Sequence, residues 1–361
     1  HRDLHSFPTR RSSDLAWNGV PKCKLQNDTL AMRLLTEDDG WSQSEKENLY
    51  SSNPRTFNRY LYKNQTDNYQ QDNLQGIVSF LLPYDLNLYM GLHYTKGKGY
   101  YESYRYDRKF SKYMLPPALI GGDTLKSSDI IDRKWLDNDF YVLVSSLVYK
   151  TKSVELNLGG GLNQYVGNHF GKVIWSWFNS GNVPQNYEWY RNKGVKTDGN
   201  VYLKMNYQVS ERINFYTDMQ FRSIRYALDG VDDKTDYDGN LRKLDHDLDY
   251  NFFNPKAGLF FLIDPWQKAY FALGRAHREP NRDNIADANP GKPLPVFEEL
   301  TDYELGYTLA LKEQQISLNF FYMDYENQLV LTGAINDVGS PVMTNVPKSQ
   351  HDGIEILVNL H

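Results

Sequence analysis

Along most of the chain, apolar and polar residues alternate with a period of two. Val201, Leu203, Met205, Tyr207 and Val209 are separated by Tyr202, Lys204, Asn206 and Gln208. After Ser210-Glu211-Arg212 the pattern resumes, with Ile213, Phe215, Met219 and Phe221 set against Asn214, Asp218, Gln220 and Arg222. Leu86 to Leu92, Val154 to Leu162, Ala257 to Ile263, Ala269 to Leu273, Tyr303 to Leu311 and Ile316 to Tyr322 repeat it. Successive side chains of a strand point to opposite faces, so this period predicts strands with one apolar and one polar face.

A soluble sandwich alternates too, but three details favour a membrane barrel. The alternating runs reach roughly 9–14 residues, the length a tilted strand needs to cross a bilayer, whereas sandwich strands average about 5–6. Connections alternate in length: tight turns near Pro83, Thr151, Glu211, Pro265 and Glu313 are interleaved with polar stretches at 96–134, 164–199, 228–249, 277–299 and 330–349. Tyr94, Tyr149, Tyr165, Tyr226, Trp266 and Tyr325 stand at strand ends, where an aromatic girdle belongs. In lipid every backbone polar group must pair, so spanning strands close into a barrel. The expected fold is therefore all-β, a transmembrane antiparallel β-barrel with short periplasmic turns and long extracellular loops. About eleven strands are expected, with Ala16-Trp17 the stub of another.

Composition narrows the function classes. The 361 residues carry a net charge of −5, which removes the electrostatic drive for nucleic-acid binding. Aromatic residues make up 14%, too many for a disordered chain. One cysteine, Cys23, excludes a disulfide scaffold and a cysteine-based zinc cluster. No stretch approaches the ~18–20 apolar residues of a spanning helix. Residues 1–15, His1 to Leu15, resemble a translated sequencing adaptor and are expected to lie outside the fold, leaving 16–361 as the barrel portion.

A series of segments then points to a family. Ala16-Trp17-Asn18-Gly19-Val20-Pro21 resembles a strand end entering an extracellular loop, and Asn64 to Asp72 a return into the next strand. Further on come Asn254-Pro255-Lys256-Ala257-Gly258, Arg278-Glu279-Pro280-Asn281-Arg282 and Glu298 to Tyr307 with Asp302, Glu304 and Gly306. Asn345-Val346-Pro347 and Gly353-Ile354-Glu355 close the series. In this order the segments resemble the TonB-dependent outer-membrane receptors, whose barrels have 22 strands. His351-Asp352 departs from the arginine usual before Gly-Ile-Glu.

The resemblance implies the middle and late part of such a barrel, in the outer membrane of a Gram-negative bacterium. It also implies a signal peptide, a plug domain and early strands outside this sequence, and energy coupling to the TonB complex through the plug. Independently of the family, Gly258, Gly274 and Gly306 fall on the lumen-facing register, where a missing side chain permits close approach. The charges of Arg275, Glu304 and Glu355 are expected in the lumen, since on the lipid face they would be prohibitive.

Catalytic readings fail. Glu298-Glu299 and Asp232-Asp233 are adjacent on strands and point to opposite faces, so they cannot flank one bond. The 229–249 segment approximates a calcium loop through Asp236, Asp238 and Asp245, yet Lys234 occupies the first ligand place. No enzyme, cofactor or metal site is expected. Binding is the better reading of the loops. Tyr100, Tyr101 and Tyr104 interleave with Arg105 and Arg108, and Trp175, Trp177 and Trp189 lie near Arg191. Rings with guanidinium groups suit a flat anionic ligand such as a ferric siderophore, and suit sugars nearly as well. The expected function is import of a scarce solute, with a ferric siderophore leading. Oligosaccharide uptake, a passive porin and a soluble carbohydrate-binding protein are the alternatives.

Overall fold

The computed structural model describes residues 43–51, 62–178, 183–236, 238–286, 288, 293–335 and 341–360. The segments 1–15 and Ala16 to Pro21 lie outside them. Thirteen strands follow: β1 (Asp67–Leu82), β2 (Leu86–Lys109), β3 (Ala118–Ile120), β4 (Asp123–Leu125), β5 (Ser127–Lys150), β6 (Val154–Ser176) and β7 (Tyr187–Gln208). They continue as β8 (Ile213–Thr235), β9 (Leu241–Asp264), β10 (Gln267–Arg278), β11 (Glu298–Ala310), β12 (Gln314–Ile335) and β13 (Pro341–Leu360). Two helices, α1 (Gln43–Ser51) and α2 (Arg282–Ala286), and a 3-10 turn at Phe110–Tyr113 complete the described elements. Eleven strands form one sheet in the order β1-β2-β5-β6-β7-β8-β9-β10-β11-β12-β13, each antiparallel to the next, while β3 and β4 make a small hairpin apart.

The short connections are fixed by their own side chains. Thr151 Oγ1 accepts from the Val154 N–H at 3.0 Å, Ser210 Oγ from the Ile213 N–H at 3.2 Å, and Asp264 Oδ1 from the Trp266 N–H at 2.8 Å. Each oxygen satisfies a donor that the ladder leaves over at the reversal. These turns set the register, and register sets the faces.

One face carries an apolar band. Leu88, Leu147, Leu158, Leu203 and Met219 oppose one another from β2 to β8. Leu259, Phe271, Leu305, Phe320 and Ile354 do so from β9 to β13. Most of these side chains are exposed in the isolated chain, which suits lipid and not water. The other face carries Asn206, Tyr216 and Gly258 in one row, and Asn319 beside Glu355 in another. It is concave, because Lys134 of β5 reaches Asp233 of β8 across two intervening strands.

The concave wall is smoothed by glycines. A Cβ on Gly306 would fall 1.9 Å from the Tyr270 ring, and one on Gly159 would fall 2.4 Å from Tyr202 Oη. Each glycine seats a tyrosine from the adjacent strand flat against the wall. Tyr270 Oη then donates to Asn319 Oδ1 at 2.9 Å and to Glu304 Oε2 at 3.3 Å. Glu304 and Glu355 face the lumen as expected. Arg275 does not: it shares the register of Phe271 and Leu273, stands at the outer end of β10, and pairs with Glu299. The charge is tolerated there because the strand has already left the apolar band.

The loops also differ from expectation. Most of 96–134, 164–199, 228–249 and 330–349 is strand, with β2, β5 and β9 each 24 residues long. The ladders continue beyond the bilayer, but the apolar face changes side. On β8, Met219 and Phe221 point outward, whereas Ile224, Tyr226 and Leu228 are buried on the inward register. Above the membrane the outside meets a polar medium and the inside is filled by folded loops, so the alternation inverts. A pattern reader tracking one phase loses the strand at that point.

The face assignment has a direct test. Leu203→Arg and Leu305→Arg should each destabilise the full-length barrel in bilayers by about 2–4 kcal/mol, whereas Asn206→Arg, on the lumen side, should change little. Equal losses in reversible unfolding from lipid vesicles would reject the assignment.

Candidate functional site

β10 and β11 have 12 and 13 residues, about half the length of their neighbours. The chain leaves the sheet after Arg278, and Pro280, which cannot donate to a ladder, is buried at the departure. The segment 279–286 then folds inward as a strap across β7, β8 and β9. Glu279 accepts from Lys196 Nζ at 2.6 Å and from Arg222 Nη1 at 2.9 Å. Arg222 also holds Asp198 at 2.5 Å. Two cations and two carboxylates thus alternate on the concave face, each charge answered by its neighbour. Asn281 and Asn284 exchange hydrogen bonds between side chain and backbone at 2.8 and 3.0 Å. Arg282 Nη2 donates to Asn192 Oδ1 at 2.9 Å, and Arg242 Nη1 to the Ala286 carbonyl at 2.7 Å. Ile285 and Ala286 pack on Tyr226, Leu228 and Leu244.

At the base of the strap a polar chain crosses the wall. Asn254 Nδ2 donates to Gln220 Oε1 at 3.1 Å. Its Oδ1 accepts from the His277 N–H at 3.1 Å and meets His277 Nδ1 at 2.8 Å, while His277 Nε2 meets Glu299 Oε2 at 3.1 Å. The His277 ring stacks on Phe252 at 5.1 Å. Arg278 pairs with Glu298 at 2.7 Å. The β9–β10 ladder reaches only Lys256, so the neighbouring Pro255 costs no bond there.

Beside the strap a second inward fold closes the mouth. The 3-10 turn carries Phe110 and Tyr113 onto Ile130, Val173, Trp189 and Tyr190. Tyr113 Oη donates to Asp132 Oδ2 at 2.7 Å, and Arg105 Nε reaches the same oxygen at 3.4 Å. Burial and the Asp132 carboxylate raise the Tyr113 hydroxyl well above its ordinary value, so it stays a donor. Lys134 and Asp233 form a buried pair under this roof. Burial works against the Asp233 carboxylate, but the Lys134 ammonium outweighs it and holds the group below its usual range. His169 is kept neutral, first by burial and then by the Arg282 charge, which push it well below its ordinary 6.5.

The predicted ligand residues do not come together in one place. Arg105 and Trp189 join the roof through Asp132 and Tyr113, whose ring lies 4.9 Å from that of Trp189. Tyr101 is on the inward register next to Lys134. Tyr100 and Arg191 stand on the outward face, Tyr104 is tied to Asp129, and Arg108 opposes Ser128. Trp175 and Trp177 form an exposed edge-to-face pair at the tip of β6, with centroids 6.1 Å apart. In the 229–249 segment, Asp236 Oδ1 accepts from the backbone of Asp238 and Asn240, and Asp245 lies on β9 rather than in a loop. Lys196, Asp198, Arg222, Asn192, Asp132 and Lys134 are not legible as site residues in the sequence, and Asp233 is legible there only as a carboxylate beside Asp232. Each looks like an ordinary strand polar residue until its distant partner is known.

A model of the family described as TonB dependent receptor-like, beta-barrel matches residues 24–361. Among solved structures, the copper transporter OprC superposes with a TM-score of 0.62 at 11% identity, covering 81% of this chain and 44% of that one. The closed form of the ferric-catecholate import receptor Fiu from E. coli K12 gives 0.53 at 14% identity, covering 88% and 49%. The chain thus spans about half the length of these structures. No curated protein sequence matches significantly.

Two outcomes follow from the inward folds. Glu279→Gln should cost about 3 kcal/mol, because removing one partner leaves buried charge uncompensated. Amides of 279–286 should then exchange on the order of a hundredfold faster, while Asp283→Asn, at the exposed side of α2, should leave them unchanged. The second concerns acid. A group whose folded pKa is depressed gives stability that is present above its unfolded value and lost as pH falls below it. His169 should therefore loosen the strap, whose Arg282 acts on it, as pH drops below about 6.5. Exchange in Arg282–Ala286 measured from pH 7 to 5 should show this, and His169→Gln should flatten the profile.

Proposed function

Because the chain belongs to the TonB-dependent receptor β-barrel family, we propose that it forms the wall of an outer-membrane receptor importing a scarce solute, a ferric siderophore first among candidates. The observation that carries this reading is the family match over 24–361, joined to a polar concave wall whose mouth is narrowed by loops folded inward. A mouth of this kind admits a captured ligand only after rearrangement. Energy for that step would come from the TonB complex acting through a plug on the concave face.

The siderophore assignment rests on ring and cation chemistry at the rim. Trp175 and Trp177 are exposed at the end of β6, and Arg108 lies on β2, with β5 between them. Aromatic faces stack on a planar chelate, and a guanidinium donates to its anionic oxygens. Arg105, Tyr101 and Trp189 would act beneath, as part of the inner surface that the ligand meets next.

In the full-length receptor under iron starvation, the Arg108→Gln, Trp177→Ala double variant should take up labelled ferric siderophore with an affinity at least about tenfold lower. One charge-assisted contact is worth roughly 1.5–3 kcal/mol, and barrel assembly does not depend on these rim groups. Unchanged uptake would remove them from the capture site. Growth rescued by an oligosaccharide and not by iron would reject the siderophore and leave the receptor assignment standing.

A further inference from the structure

The strap and the roof come from distant parts of the chain and bury two separate apolar clusters. Between them runs the outer end of β8, where both of its ladders give out. The β7–β8 ladder ends where Asn192 faces Gly230, and the β8–β9 ladder is interrupted between Val231 and Thr235. Gly230 turns the chain away with φ +113°, where a Cβ would fall 2.4 Å from the Arg191 carbonyl oxygen. Residues 232–234 then form a bulge opposite Arg242 alone, and Asp232 within it is buried. A buried stretch outside the ladders is positioned by side chains.

Those side chains answer to different folds on the two sides. On the strap side, the buried Asn192 uses both ends of its amide. Its Nδ2 donates to the Val231 carbonyl at 3.1 Å, and its Oδ1 accepts from Arg282 Nη2 at 2.9 Å. Arg242, opposite the bulge, donates to the Ala286 carbonyl at 2.7 Å. On the roof side, Val231 packs against the roof cluster and Asp233 pairs with Lys134. Lys134 shares the inward register of β5 with Asp132, which accepts from the Tyr113 hydroxyl. Arg282, Asn192, the 231–233 stretch, Lys134, Asp132 and Tyr113 thus make an unbroken run from one fold to the other.

We propose that the strap and the roof open as one unit, with the 231–233 stretch as the two-state element between them. When the strap leaves, Asn192 loses the guanidinium that fixes its amide, and the Val231 carbonyl loses its fixed donor. The bulge then shifts, and Asp233 leaves the geometry that a buried ion pair requires. A close-packed core does not follow such a shift gradually, so the roof lets go with it. Coupling is reciprocal, so displacing the roof loosens the strap in turn. A push on the strap from the concave face therefore opens the neighbouring part of the mouth. This goes beyond the import reading, because the coupling lies in the wall whatever solute is carried.

The test is amide exchange in the full-length receptor in detergent. The roof is read at Phe110 and Leu115, bonded to the Lys126 and Phe110 carbonyls, and the strap at Ile285, bonded to Asn281. Glu279→Gln, which loosens the strap, should speed exchange in the roof at least about tenfold. Tyr113→Phe, which removes the bond to Asp132, should speed exchange in the strap at least about tenfold as well. In an Asn192→Ala background both cross-effects should vanish, each change then acting only on its own fold. Should that variant lose the heat-modifiable mobility of a folded barrel, Asn192→Asp replaces it, keeping the acceptor for Arg282 and losing the donor to Val231. A roof indifferent to Glu279→Gln, a strap indifferent to Tyr113→Phe, or cross-effects that persist without the Asn192 amide would each overturn the proposal. Solute uptake is not the readout, so such a failure leaves the import reading standing.

Discussion

The absence of water in the bilayer core is the constraint on which this structure depends. A backbone N–H or C=O left unpaired there costs several kcal/mol, so the chain must satisfy each one within the sheet. Antiparallel ladders joined by minimal turns do this with the shortest connections, and the eleven-strand order is almost a list of nearest neighbours in sequence. Thr151, Ser210 and Asp264 extend the same accounting into the reversals. Once turn and register are fixed, every side chain is assigned to lipid or lumen with no further freedom.

That assignment sorts charge. Several ionised groups of the long strands stand on the concave face and find a partner from a strand or loop distant in sequence, as Lys204 does in Asp218. Glu279 is the extreme case, held by Lys196 and Arg222. The short β10 and β11 release the strap, and the concave wall supplies the cations that retain it. The signature from Arg278 to Arg282 thereby gains a physical account: one residue ends a strand, one anchors to the wall, one cannot pair, and two tie α2 down.

Above the bilayer the same strands serve a different partner on each face. Inward, the apolar residues switch register and bury the folded loops, making a small soluble-type core at the mouth. Outward, charges and rings alternate in rows. The inner surface is fitted to the folded segments that the sheet curves around, and the outer surface to what surrounds it. The inversion of the hydrophobic pattern marks the height at which one set of neighbours replaces the other.

The sequence by itself determined the strands within the bilayer, their turns, their faces and the family, because period-two alternation is a local consequence of having lipid on one side and water or protein on the other. Leu203 against Lys204, or Leu305 against Glu304, is readable without any partner. It did not determine where the strands end, since Ile224, Tyr226 and Leu228 answer to loops folded over them and not to lipid. Nor did it reveal the strap network, the Lys134–Asp233 pair or the run from Arg282 to Tyr113 that joins them. Those groups lie tens of residues apart and meet only through register and curvature. Trp189 and Arg191 are close neighbours in sequence, yet one is buried in the roof and the other faces outward. Sequence proximity makes them one cluster, and the bulge that separates their faces at Gly171–Lys172 is a property of strand pairing. Faces are local, whereas sites are made by whichever strand the sheet brings alongside.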